Sequence, residues 1–301
     1  LQIALLLALG YLSRRCKVVG PDFAGALSRL LIAFFLPCVV VKALLSGGGE
    51  AGADGFLWAL VTVAVIVAAG LIVALPVARR LRKGKDDFGR VLTAALLFTN
   101  FTYMGIPVTE ALYGAAGVYC VSLMSIPMRL VLYTTLPLIF SRKEKRGLAA
   151  YGKILASPPI AAVFLGLMLS AFGVRLAGPI ESVVNVMASA CTPLGMMLCG
   201  MLVAEVPVKT LFQDKRILLT CALRLALLPA LVLLALHFLP VPRLWRDVAV
   251  IFAALPVGSI VSAYAAQGNI RPSDTAAVIV LSTLLSLASV PAWAWLLARI
   301  G

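Results

Sequence analysis

An asparagine, two threonines, a glycine and a proline fall inside one apolar stretch, residues 98 to 114, FTNFTYMGIPVTEALYG: Thr99, Asn100, Thr102, Gly105 and Pro107. A second stretch, residues 254 to 268, ALPVGSIVSAYAAQG, is interrupted by Pro256, Gly258, Ser259 and Ser262. In hydrocarbon every backbone N–H and C=O needs an internal partner, so a broken helix persists only where it lines a cavity or is packed in protein. Two such breaks in matching halves of a chain point to the substrate site of a carrier. The first stretch reads as a half-helix from 91 to 99, a linker from Asn100 to Met104 and a half-helix from 105 to 114. The second reads as half-helices over 247 to 255 and 258 to 267. At ~1.5 Å per residue each half covers about half of the hydrocarbon core, which puts both breaks near the midplane. Crossing there, they would aim two helix N-termini, each with about half a positive charge, at one point. An anion such as a carboxylate is the ligand that this field favours. The side chains of Thr99, Asn100, Thr102, Ser259 and Ser262 either orient that anion or satisfy the broken backbone, as Ser and Thr do beside membrane prolines.

Other polar groups lie at similar depth. Pro37 beside Cys38, and Pro193 beside Thr192, interrupt two further apolar runs, as kinks or as cavity walls facing the crossing. Arg129 and Arg224 sit inside apolar runs, where a charge is costly and marks a functional candidate. Either could draw an anion inward. Snorkelling to the cytoplasmic surface is the competing account of Arg224, and an internal carboxylate or carbonyl partner that of Arg129. Lys42 and Arg29 read as snorkelling ends. Glu110 reads as an interfacial side chain or as the holder of a coupling proton or cation, and the single histidine, His237, as interfacial.

The elements that must position these residues follow from composition. The chain has 301 residues, 62% of them hydrophobic, with a mean hydropathy of +1.06, which identifies an all-α integral membrane protein. Ten apolar segments are expected to cross: residues 1 to 13, 23 to 45, 56 to 78, 89 to 114, 116 to 140, 153 to 173, 178 to 204, 214 to 239, 247 to 268 and 273 to 299. The first is short, which suggests a helix that begins upstream of Leu1. The net charge of +14 would suit nucleic acid, but 18 of the 26 Lys and Arg residues fall in alternate loops or at the segment ends that flank them. These include Arg79, Arg80, Arg82, Lys83, Lys85 and Arg90, then Arg142, Lys143, Lys145 and Arg146. Such alternation is the positive-inside signal, so the basic loops rest on anionic cytoplasmic lipid and both termini face outside the cell's inner (plasma) membrane. Of six cysteines five fall inside apolar segments, which argues against disulfides, and Cys191 and Cys199 lack further ligands for a metal. HExxH, GxSxG and Walker sequences are absent, and the GGGEAG run at 47 to 52 has no βαβ context, so an enzyme, a cofactor and a metal are not expected.

Shifting the chain by half its length lays Pro37 on Pro193 at an offset of 156, and Gly114 on Gly268 and Pro137 on Pro291 at 154. Residues 1–141 and 150–301 then read as two five-helix repeats joined by a basic linker, 141–149. Five is odd, so the repeats insert with opposite orientation, and the broken crossover helices are the fourth and ninth.

The segment FTNFTYMGIPVTEALYG resembles the crossover helix of the auxin efflux carrier family: Asn100, then Gly105 and Pro107, then Tyr113 and Gly114 occupy the positions of its Asn, its Gly-hydrophobic-Pro step and its aromatic-Gly ending. GALSRLLIAFFLPC, CTPLGMMLCG and LPVGSIVSAYAAQG extend the likeness over nearly the whole chain. The resemblance implies a fold like that of bile-acid symporters and sodium/proton antiporters. Helices 1, 2, 6 and 7 would form a scaffold, helices 3–5 and 8–10 a moving transport domain, and two chains a homodimer. It also implies a small organic anion as substrate, with Asn100 binding it. Where many relatives place a second Asn, this chain has Gly258, Ser259 and Ser262, which argues against an indole-bearing ligand. The short linker suits a compact prokaryotic member.

The expected function is a secondary carrier of small organic anions by alternating access. Efflux of a monovalent anion gains about 2.3 kcal/mol per 100 mV of inside-negative potential and needs no coupling ion. The alternative is a sodium- or proton-coupled symporter or antiporter, with Glu110 or the carbonyls of the crossing holding the cation. A receptor that binds without transport is a third, weaker reading.

Overall fold

The computed structural model describes residues 2–20, 22–51, 54–81, 87–140, 158–174, 176–206, 211 and 214–300. The linker 141–149, the loop residues Arg82, Lys83 and Lys85, Leu1, Gly52 and the opening of the helix expected at 153 lie outside them.

Among the described residues every regular element is a helix, and the sole extended pairing is one isolated antiparallel bridge, Thr99 with Val257. In chain order the elements are α1 (Gln2–Arg15), α2 (Phe23–Leu30), a π turn (Leu31–Phe35), α3 (Leu36–Ala51), α4 (Gly55–Leu81) and α5 (Phe88–Leu97). A second π turn (Phe101–Gly105) leads into α6 (Ile106–Phe140), followed by α7 (Pro158–Ala171) and α8 (Gly178–Ala204). Then come α9 (Lys215–Ala222), a third π turn (Leu223–Leu227), α10 (Leu228–His237), α11 (Arg243–Ala254), α12 (Ile260–Gln267) and α13 (Pro272–Ile300). Six of these runs, Phe23–Leu45, Gly55–Leu81, Phe101–Phe140, Gly178–Ala204, Lys215–His237 and Pro272–Ile300, are long and apolar enough to cross a membrane. The protein is therefore membrane-embedded, and its described residues are all-helical. Within α6 the chain turns at Gly114, whose φ of 59° and ψ of −148° only glycine adopts without strain, so residues 106–113 and 115–140 are separate helices.

The three π turns share one cause. Each ends two residues before a proline: Phe35 before Pro37, Gly105 before Pro107, Leu227 before Pro229. Proline offers no N–H to the carbonyl four residues back, and its ring collides with that carbonyl. Widening the preceding turn by one residue relieves both. The carbonyl freed by Pro229 is that of Leu225, and it accepts a hydrogen bond from Trp293 Nε1 at 2.8 Å. This corrects the expectation of a linker over Asn100 to Met104. The open segment is only residues 98–100, and Phe101–Gly105 is already coiled because Pro107 follows it.

The chain divides into two compact units. The first comprises Leu1–Phe56, Thr102–Ile126 and Arg146–Glu205. Here α1 and α8 touch backbone to backbone: a Cβ on Gly10 would strike the Met197 carbonyl, and one on Gly200 the Leu7 carbonyl. The Tyr103 hydroxyl is bonded to that of Ser28, tying the second π turn to α2. The second unit comprises Leu57–Phe101, Pro127–Lys145 and Val206–Gly301, and its core holds Phe98, Trp245 and Phe252 without exposed surface. Gly268 lies against the Phe140 carbonyl too closely for any side chain. At one end of this unit Phe88 is covered by the guanidinium groups of Arg216 and Arg271, 4.6 and 5.5 Å from its ring. Asp214 caps α9 by accepting the Arg216 N–H at 2.9 Å, and its carboxylate also accepts from the Arg216 side chain. The Arg216 hydrogen bond holds the Asp214 carboxyl below the ordinary carboxylate range.

Candidate functional site

Both breaks lie in the second unit, and they meet. α5 ends at Leu97 and the chain runs extended over residues 98–100; α11 ends at Ala254 and α12 begins at Ile260. The Asn100 N–H donates to the Pro256 carbonyl at 2.8 Å, and the Gly258 N–H to the Phe98 carbonyl at 3.1 Å. Each broken strand thus supplies the partner that the other lost with its helical ladder, the condition for an open backbone inside a membrane protein. Gly258 is required for this approach, because a Cβ there would stand 2.9 Å from the Thr99 carbonyl oxygen.

The side chains around the bridge are mostly withdrawn from solvent. Thr99 and Asn100 are buried, and the Thr99 hydroxyl lies 3.4 Å from the Pro256 carbonyl. Pro256 and Gly258 are buried, while Ser259 is half-buried at the N-cap of α12 and makes no capping bond through its side chain. Ser262 is half-buried too, and its hydroxyl donates back to the Ser259 carbonyl at 2.7 Å. Its proton is therefore engaged with the backbone, while its lone pairs still face outward from that bond. Phe101, directly after the first break, stacks on Phe252 with ring centres 5.7 Å apart, and the Arg129 guanidinium lies 5.0 Å from the Phe101 ring. Arg129 thus stands beside the first break, held over an aromatic face.

The remaining candidates belong to the first unit. Thr102, Gly105 and Pro107 follow Asn100 along the π turn and into α6. Glu110 is exposed within that half-helix, and the Thr192 hydroxyl donates to its Oε2 at 2.9 Å. Cys191 is buried next to Thr192, and both Glu110 and Cys38 lie close enough to act on it electrostatically. Thr192 and Cys191 on α8 therefore lie beside Glu110, with Cys38 of α3 near Cys191, while Pro37 and Pro193 are the chain neighbours of Cys38 and Thr192. A cavity of about 610 Å³ in the same unit is lined by Lys42, Ser170, Glu181 and Asn185 among others, none of them a sequence candidate for the substrate site.

One supporting group, and the partners of another, escaped the sequence. Ser282 on α13 accepts the Val257 N–H at 3.2 Å while donating to the Ile279 carbonyl at 2.9 Å, so it stabilises the second break from outside. Arg224 does not snorkel. It has no exposed surface, and its Nε donates to the Leu255 carbonyl at 3.0 Å and its Nη1 to the Leu96 carbonyl at 2.8 Å. A serine or an arginine in a long apolar helix has many possible partners, and only the fold selects these carbonyls.

Comparison with known proteins adds a common origin to this geometry. A family model described as "Membrane transport protein" matches residues 1–152 and 150–294. An "Uncharacterized transporter" of Methanothermobacter thermautotrophicus is 24% identical over 294 residues, covering 97% of this chain and 95% of that protein. A "Putative malonate transporter" of Rhizobium meliloti is 25% identical over 295 residues, covering 95% of this chain and 90% of that protein.

Proposed function

This chain belongs to the membrane transport protein family, that of the auxin efflux carriers, and we propose that it is a secondary carrier of small organic anions, dicarboxylates such as malonate foremost. The observation that carries the reading is the joined pair of breaks: two helix starts, at Phe101 and Ile260, open beside polar Thr99, Asn100, Ser259 and Ser262. Helix N-termini present N–H groups and a positive end, and buried amides and hydroxyls at such ends recognise carboxylate oxygens. Asn100 supplies the amide donor, the Ser259 hydroxyl a second donor, and Arg129 a nearby charge that draws an anion inward. In this reading the chain is two inverted five-helix repeats that cross the inner membrane ten times. A scaffold of helices 1, 2, 6 and 7 pairs two copies, and the transport helices 3–5 and 8–10 carry the bound anion across in an elevator-like movement, in the direction of efflux.

The test is uptake and release of labelled malonate by proteoliposomes under an imposed potential. An inside-negative potential should accelerate release, and flux indifferent to potential and to carboxylate would overturn the proposal.

Glu110 supports a second reading. An exposed carboxylate on a half-helix, bonded to Thr192 and near Cys191, could bind a coupling proton. Glu110→Gln keeps an acceptor for Thr192 but cannot titrate. Under the coupled reading its flux loses the wild-type dependence on a proton gradient, and under uniport the two proteins respond alike.

A further inference from the structure

A broken helix brings opposite charges together. Its first half ends on orphan carbonyls and about half a negative charge, and its second half begins with about half a positive one. At a junction of two such breaks these fields would nearly cancel, and the anion-attracting end would be lost. Arg224 alters that balance. Leu96 lies in the last turn of α5 and Leu255 is the C-cap of α11, so one guanidinium is bonded to the negative ends of both first halves. Its partners are carbonyls rather than carboxylates, so its full charge acts against roughly two half-charges. Nothing comparable covers the ends at Phe101 and Ile260 through this side chain. The remaining donor, Nη2, is buried and without a hydrogen-bond partner among the described residues.

We infer that Arg224 is a resident cation: its guanidinium occupies a carbonyl site that a monovalent cation would otherwise have to fill for the two breaks to stay joined and for the junction to attract anions. Carbonyl oxygens at two helix C-termini are hard ligands suited to an alkali cation, and a guanidinium satisfies them from within the chain. The planar fork explains the choice of arginine, since one side chain reaches two carbonyls that lie on separate segments. The third donor is the unfilled remainder of a group larger than the ion it replaces. The inference deepens the reading of the breaks as an anion site, but its test reads cation binding and does not depend on any substrate.

The experiment compares the purified wild type with Arg224→Ala and Arg224→Gln by thermal unfolding in sodium, lithium, potassium, choline and sub-denaturing guanidinium chloride at equal ionic strength. The wild type should unfold at the same temperature in sodium, lithium, potassium and choline, and in guanidinium should show only that salt's ordinary denaturing decline. Arg224→Ala should unfold earlier in choline by roughly 5 °C or more, as expected when one partner of a buried charged network is removed. It should regain most of that loss, saturably, with guanidinium or an alkali cation. Arg224→Gln retains a hydrogen-bond donor without the charge and should show the same cation response, which keeps the test open if the alanine variant does not fold. Variants indifferent to every cation would overturn the inference, as would saturable stabilisation of the wild type by sodium.

Discussion

Gly258→Ala tests the junction most directly. The added Cβ would stand 2.9 Å from the Thr99 carbonyl oxygen and 3.3 Å from its carbon, and both belong to the backbone. Neither atom can rotate away as a side chain would, so the two extended segments must move apart by several tenths of an ångström. That displacement weakens the bonds from Gly258 to Phe98 and from Asn100 to Pro256, now 3.1 and 2.8 Å long. Overpacking of this kind costs about 1–3 kcal/mol. For a chain of this size each kcal/mol lowers the unfolding midpoint by roughly 2–4 °C, so a fall of about 5 °C is expected. A thiol-reactive dye reports unfolding in detergent, since Cys120, Cys191 and Cys221 are buried until the fold opens. Two controls bracket the effect. Gly178→Ala, where a Cβ meets nothing within 4 Å, should unfold like the wild type. Gly200→Ala, which presses α8 on the Leu7 carbonyl in the other unit, should lower the midpoint but leave malonate stabilisation of the folded fraction intact. Gly258→Ala should lose both. A Gly258→Ala protein with the wild-type midpoint and the wild-type response to malonate would refute the reasoning.

Asn100→Ala should fold at close to the wild-type midpoint yet lose the thermal shift given by malonate; an unchanged shift removes Asn100 from the site. Trp293→Phe deletes the donor to the Leu225 carbonyl and should cost about 1–3 kcal/mol, seen as a lower midpoint without a change in malonate affinity. Asp214 has its carboxyl pKa depressed in the folded state, first by the Arg216 hydrogen bond, so its stabilisation is present above the unfolded value of about 3.9 and is lost as the pH falls through the folded value. Asp214→Asn should therefore unfold earlier than the wild type at neutral pH, and the gap should close below about pH 4 in midpoints measured against pH.

The breaks were legible because polar and helix-breaking residues inside apolar runs are rare enough to be informative: Asn100, Pro256 and Gly258 mark the two segments where coiling stops. Their limits were less legible. Pro107 suggests an open linker before it, but a π turn absorbs the proline at a lower cost than an open backbone in a membrane, so the helix resumes at Phe101. The all-helical membrane class followed from hydropathy alone, since spans need only length and apolarity. Arg224 shows the limit of such reading. Its charge and depth are visible in the sequence, but the carbonyls of Leu96 and Leu255 carry no sequence signature, because every residue has one. Ser282 escaped for the same reason, as one serine among many in α13.

The proline-linked π turns also bear on how these helices must be probed. Each inserts one extra residue into its coil, which rotates everything downstream by about 100° relative to an unbroken α-helix. A cysteine-accessibility scan along residues 23 to 51, or 215 to 237, should therefore show a periodic signal whose phase slips by one position on passing 31–35 or 223–227. Lipid-facing and protein-facing stripes drawn on a single helical wheel would be misassigned over half of each span.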